Sequence, residues 1–177
     1  MANPSSTIPL LFLTIALLIA AINDIRFHKI PNWLTLTIVI AGILYHTTMK
    51  GFNGFLFSVG GIAVGIATLI IPYLLGGTGA GDVKLMGAVG GFLGPKGTFI
   101  AFLSTSIIGG IYAIVLLALH GFLKETAKRY GSIIKTFILT RNFIYIPPSK
   151  NEQKPKLCYG IAIALGTLIS VAFGIKM

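Results

Sequence analysis

Asp24 and Asp82 are the two residues of this chain whose type and placement best suit chemistry. Of the 177 residues only four are acidic; Glu125 and Glu152 fall in a polar stretch, whereas each aspartate adjoins a long apolar run. An ionisable group in or near hydrocarbon costs roughly 2.5 to 3.5 kcal/mol on insertion scales, so it usually faces a protein cavity and serves a purpose. Two carboxylates in one desolvated site share a proton, because like charges at short range do not both form easily. One is then a base and the other an acid at a single pH. Such a pair activates a water against an amide carbonyl and protonates the leaving nitrogen, which is the chemistry of an aspartyl protease. Helix dipoles suggest a division of labour in which Asp82, at a helix N-terminus, carries the charge and Asp24, near a helix C-terminus, carries the proton. Arg26 and Lys29 oppose that assignment at Asp24. Plainer roles stand beside the chemical one. Asp82 follows Gly79-Ala80-Gly81, a place suited to capping a helix or pairing with Lys84, and Asp24 is spaced for an exposed ion pair with Arg26 or Lys29.

The elements that must bring the aspartates together are apolar. With 55% hydrophobic and 10% charged residues, the chain departs far from soluble composition and reads as an all-α, polytopic integral membrane protein. Apolar runs lie at about 8–23, 33–48, 55–75, 83–94, 98–120 and 157–175, against a need of roughly 20 residues per crossing. The first run follows no basic residue and ends in Asn-Asp-Ile-Arg, so it reads as a retained helix and not a cleaved signal. The fourth is short, rising only about 18 Å from Val83 to Gly94, and a re-entrant path competes with a full crossing. Charge arbitrates. If all six cross, the connections at 24–32, 76–82 and 121–156 share one side, and of the 14 lysines and arginines only Lys50, Lys96 and Lys176 lie on the other. That bias is the one expected of a cytoplasmic face. The formal charge of +10 therefore reports topology, and no nucleic-acid partner is read from it. Six crossings leave both termini outside and set Asp24 and Asp82 at the same, cytoplasmic depth, although the aspartates played no part in deriving the topology.

The whole chain reads as a single membrane-embedded domain, 1–177, with 121–156 a basic cytoplasmic loop. Within that loop SIIKTFILTRNFIYI interleaves apolar residues with Lys135 and Arg141 and suits either an interfacial helix or a solvated linker. Gly61 and Gly65 on the third run, with Gly87, Gly91, Gly90 and Gly94 on the fourth, place small residues four apart, a spacing that lets helix backbones approach closely. The lone Cys158 excludes an internal disulfide framework, and no metal cluster or cofactor motif is spelled out.

The stretch Gly79-Ala80-Gly81-Asp82-Val83-Lys84-Leu85, continuing to Gly87, Gly90 and Gly94, resembles the GxGDxKL signature of type IV prepilin peptidases, the GxGD aspartyl proteases of the bacterial inner membrane. NDIRFHKIPNWLT is similar to that family's first catalytic block, an aspartate followed at fixed spacing by Ile-Pro-Asn, and YGIAIALGTLI to its closing helix. The resemblance covers most of the chain. It implies removal of the basic leader from prepilins or pseudopilins at the cytoplasmic face, with Asp24 and Asp82 catalytic and Gly79, Gly81, Lys84, Pro31 and Asn32 supporting. Longer members carry paired CxxC motifs and methylate the new N-terminus; the absence of those motifs here suggests the short, peptidase-only form of tight-adherence (Flp) pili. Where the family's last block commonly reads Pro-Tyr-Gly, Cys158 precedes Tyr159-Gly160.

Residue chemistry supplies reasons for the signature. Gly79 and Gly81, without Cβ atoms, let the chain turn sharply into the fourth helix and let a substrate backbone approach. Pro31 sets the start of the second helix and leaves Asp24 on a short water-accessible stretch. Lys84 reads as a headgroup anchor, and His28, His46 and His120 as interfacial side chains; Trp33 suits an interfacial belt. Two other classes compete with a protease: a small proton- or cation-coupled transporter, which also uses membrane aspartates, and a non-enzymatic assembly protein, in which both would tolerate replacement.

Overall fold

A computed structural model describes residues 4–119, 121, 131 and 158–172, with side chains from Ile8 onward. The described residues form four α-helices: α1, Pro4–Phe27; α2, Asn32–Leu74; α3, Ala80–Leu119; and α4, Tyr159–Ala172. Ile8–Phe27, Asn32–Leu74 and Ala80–Leu119 are long and apolar enough to cross a membrane, and α4 is a shorter apolar helix. The chain divides into two compact units, one of Met1–Gly109 with Cys158–Met177 and one of Gly110–Leu157. In the second unit only the end of α3, Gly121 and Gly131 are described. The basic stretch read as a loop or interfacial helix, and His120, otherwise lie outside the described residues.

Both long helices are broken where a glycine takes a conformation that side chains disfavour. Gly51 in α2 has φ 59°, ψ −139° and Gly94 in α3 has φ 66°, ψ −178°, values open to a residue without a Cβ. Each helix is thus two arms, 32–50 and 52–74 in α2, 80–93 and 95–119 in α3. The arms of α2 turn back on each other, since Ser58 Oγ lies 3.2 Å from Gly42 O and the His46 and Phe57 rings lie 4.8 Å apart.

Glycine sets how tightly the arms meet. A Cβ on Gly61 would lie 2.7 Å from the carbonyl carbon of Gly90, and one on Gly65 would lie 2.7 Å from that of Met86. The second arm of α2 therefore runs antiparallel to the first arm of α3 at backbone contact, in the manner of small-residue helix packing. Gly42 makes a similar approach to Gly91 from the other arm of α2, a contact that the spacing of glycines in sequence does not announce. The first arm of α3 is enclosed: every residue from Leu85 to Gly94 is buried. A short helix surrounded by protein need not match the thickness of lipid, which accounts for the brevity of the fourth apolar run.

The break at Gly94 frees carbonyls, and side chains from α2 and from α3 itself take them up. Pro95 has no N–H to offer Gly91 O; Ser58 Oγ donates to that oxygen at 2.9 Å instead. His46 Nε2 lies 2.9 Å from Phe92 O, and the Thr98 hydroxyl donates to Gly94 O at 2.6 Å. In an apolar surround each unmet carbonyl would be costly, so these polar side chains are what permits the break. His46 is only 1% exposed, which corrects its reading as an interfacial histidine.

Candidate active site

The buried face of α1 runs Leu13, Ala16, Leu17, Ala20 and Asp24. Those steps of three and four are one helical stripe, so the rule that turns Leu17 inward also turns Asp24 inward. Asp24 is 6% exposed and sits in the last turn of α1, which continues to Phe27. This overturns two expectations: the aspartate is not on a water-accessible connection, and its burial replaces the exposed ion pair with Arg26 or Lys29. The helix ends four residues later at His28, whose φ of 49° is left-handed and whose N–H donates to Asp24 O at 2.9 Å, a left-handed helix stop.

Asp82 is 8% exposed and lies in the first turn of α3. It does not stand at the cap position itself. The helix begins at Ala80, and Asp82 Oδ2 accepts the backbone N–H of Gly79 at 2.9 Å, which is the back-reaching half of a capping box. The expected pairing of Asp82 with Lys84 is also replaced. Lys84 is exposed and its Nζ donates to Asn32 Oδ1 at 2.9 Å, tying the first turn of α3 to the first residue of α2. Pro31 stands immediately before α2 at φ −63°, ψ 133°, and its carbonyl accepts the Leu34 N–H at 3.2 Å. The role assigned to it as the start of the second helix fits that geometry.

Gly79 and Gly81 are not where the chain makes its sharp turn, contrary to expectation. Neither is among the described glycines with positive φ; the sharp turn before α3 falls at Gly76, φ 74°. Gly81 gives room to Ile30, whose Cβ would lie 3.2 Å from a Cβ at position 81, and a Cβ at 79 would lie 3.3 Å from Asp82 Oδ2. The glycines thus admit the α1–α2 connection and the Asp82 carboxylate.

Two cross-contacts set the relative placement of α1 and α3. The Phe12 and Phe92 rings are 5.9 Å apart towards one end, and Ile30 abuts Gly81 at the other. The helices are therefore antiparallel, and Asp24 and Asp82 lie at the same end of the bundle. The opening of α4 completes the site. Gly160 N–H donates to Asp24 Oδ2 at 2.8 Å, and Cys158 Sγ lies 3.4 Å from His28 Nδ1 and 3.8 Å from Asp24 O. Sequence reasoning recognised Tyr159-Gly160 as a block but gave it no task. A glycine in the first turn of α4 is no clear signal, because the helix also carries Ala162, Ala164 and Gly166.

Two buried carboxylates at one end of an apolar helical bundle, each fixed through one oxygen by a backbone N–H, are a means of holding an acid and a base side by side. Residues 11–114 match the type IV leader peptidase family, and the chain belongs to that family. It is 32% identical over 99 residues to the prepilin leader peptidase/N-methyltransferase of Bacillus subtilis (strain 168), an alignment covering 54% of this chain and 39% of that protein. The chain thus spans well under half the length of that relative. No solved structure matches it.

Proposed function

We propose that the protein is an aspartyl endopeptidase of the bacterial inner membrane that removes the leader peptide from type IV prepilins or pseudopilins, with Asp24 and Asp82 as its catalytic pair. The observation that carries this reading is the meeting of two buried aspartates at one end of the bundle in a chain of this family. In the proposed reaction a water lies between the carboxylates. One takes its proton as the oxygen attacks the peptide carbonyl, and the other protonates the departing nitrogen. The hydrogen bonds from Gly79 and Gly160 each engage Oδ2, so the second oxygen of each carboxylate is the one offered to that water.

The proposed topology has six crossings, given by α1, the two arms of α2, the two arms of α3 and α4. Both termini lie outside and the aspartates at the cytoplasmic face, in keeping with the lysine and arginine distribution. The exposed Lys96 follows the Gly94 break, and this topology puts it within reach of an impermeant amine reagent added outside.

Reconstitution of the protein in liposomes with a prepilin precursor tests the function. Leader release by the parent protein, lost in Asp24→Ala and in Asp82→Ala, is expected. Cleavage that survives either change contradicts the reading; aspartate-dependent ion flux without cleavage supports a transporter instead.

A further inference from the structure

We propose that Gly160 is a positioning residue for Asp24, and that the docked N-terminus of α4, through one amide and one missing side chain, sets the geometry of the aspartate pair. This rests on the peptidase reading above and deepens it. The Gly160 N–H donates to Asp24 Oδ2 at 2.8 Å across 136 positions of sequence. A Cβ on Gly160 would lie 2.9 Å from that oxygen, 3.1 Å from Asp24 Cβ and 3.2 Å from Asp24 Cγ. The residue is therefore needed for a donor that any amino acid but proline supplies and for a space that only glycine leaves. Gly160 is in the first turn of α4, where backbone N–H groups lack intrahelical acceptors, so the bond satisfies helix and carboxylate together. It also restricts the rotation of the Asp24 side chain, because Oδ2 is held by a donor fixed in the backbone of α4.

Neighbouring contacts fix the turn that carries this amide. Cys158 Sγ rests against His28 Nδ1 and the carbonyl of Asp24, and Ile161 N–H donates to Cys158 O at 3.3 Å. Behind it, a Cβ on Gly109 would lie 2.9 Å from Tyr159 Cε2, so the α3 backbone sits directly against the Tyr159 ring. Asp82 has a matching but local donor, Gly79, three residues before it in its own helix turn. Asp82 is thus placed by its own helix, and Asp24 by another. Loss of α4 docking would misplace one aspartate and not the other.

The test compares Gly160→Ala with Gly110→Ala, whose added Cβ meets nothing within 4 Å. Expected for Gly160→Ala is a fall in kcat for leader cleavage of about a hundredfold, the scale of a displacement near 1 Å, with KM for the precursor within about twofold; Gly110→Ala keeps both. A kcat within about twofold of the parent overturns the proposal, as does a rise in KM matching the fall in kcat. A reading independent of the variant's folding comes from glycine-labelled protein. The Gly160 amide proton resonance is expected to move in Asp24→Asn and to stay in place in Asp82→Asn, and a resonance indifferent to Asp24→Asn overturns the proposal. If Asp24→Ala itself leaves cleavage intact, the peptidase reading has failed; if it abolishes cleavage while Gly160→Ala does not, only the positioning role has failed.

Discussion

Asp24 Oδ2 and the backbone nitrogen of Gly160 are 2.8 Å apart, although 136 positions of chain separate them. With its counterpart between Asp82 and Gly79 at 2.9 Å, this bond means that both aspartates are held by main chain. Main-chain donors are fixed by helix packing and do not change rotamer, so the placement of the pair is as rigid as the bundle around it. The consequences fall on the packing as much as on the carboxylates.

Ser58 is the first of these consequences. It is fully buried and donates towards Gly91 O at 2.9 Å, replacing the N–H that Pro95 lacks. Ser58→Ala leaves that carbonyl without its donor and is expected to cost about 1 to 3 kcal/mol, read as a lower unfolding temperature in detergent. Cleavage per folded molecule should be nearly unchanged, because the break lies at the opposite end of the bundle from the aspartates.

Gly61 and Gly90 meet backbone to backbone, and an alanine at either brings its Cβ into main chain. Main chain cannot swing aside as the end of a side chain does, so each change is expected to cost about 1 to 3 kcal/mol or more. Gly61→Ala and Gly90→Ala together should cost less than the sum of the two singles, since once the arms have been forced apart the second Cβ finds room. Thermal denaturation of the four proteins in detergent checks this.

Lys84 is in the signature but its Nζ is bound to Asn32 Oδ1 at the surface. A double-mutant cycle of Lys84→Ala with Asn32→Ala should yield a coupling below about 1 kcal/mol, the usual scale for exposed charged pairs. Both single variants should retain leader cleavage, in contrast to the aspartate variants. Complete loss in Lys84→Ala would place the ammonium in the reaction.

The sequence carried much of this arrangement because its signals were local. Asp24 continues the inward stripe of Leu13, Leu17 and Ala20, and Pro31 marks the start of α2 as its fixed φ requires. The glycines of the third and fourth apolar runs announced close packing, and Gly61, Gly65, Gly87 and Gly90 provide it. What stayed illegible depended on partners far along the chain. Nothing near His46 says that its ring will reach a carbonyl freed by a break at Gly94, and by itself it resembles any histidine at the end of an apolar segment. The tasks of Gly81 and Gly160 were hidden for the same reason, since a missing Cβ reveals its use only when Ile30 and Asp24 occupy the space. The end of α1 was placed too early because Asp24 and Arg26 looked like the polar edge of a segment, whereas burial of Asp24 against α4 and the His28 stop carry the helix to Phe27.

Proximity of the two aspartates is the claim on which the proposed reaction stands, and cross-linking measures it directly. In a Cys158→Ala background, Asp24→Cys and Asp82→Cys are introduced together and treated in membranes with a short bismaleimide, with Asp24→Cys and Lys96→Cys as the comparison. The expected result is a link within one chain between positions 24 and 82 and none between 24 and 96. Labelling of both positions 24 and 82 without a link between them would contradict the account.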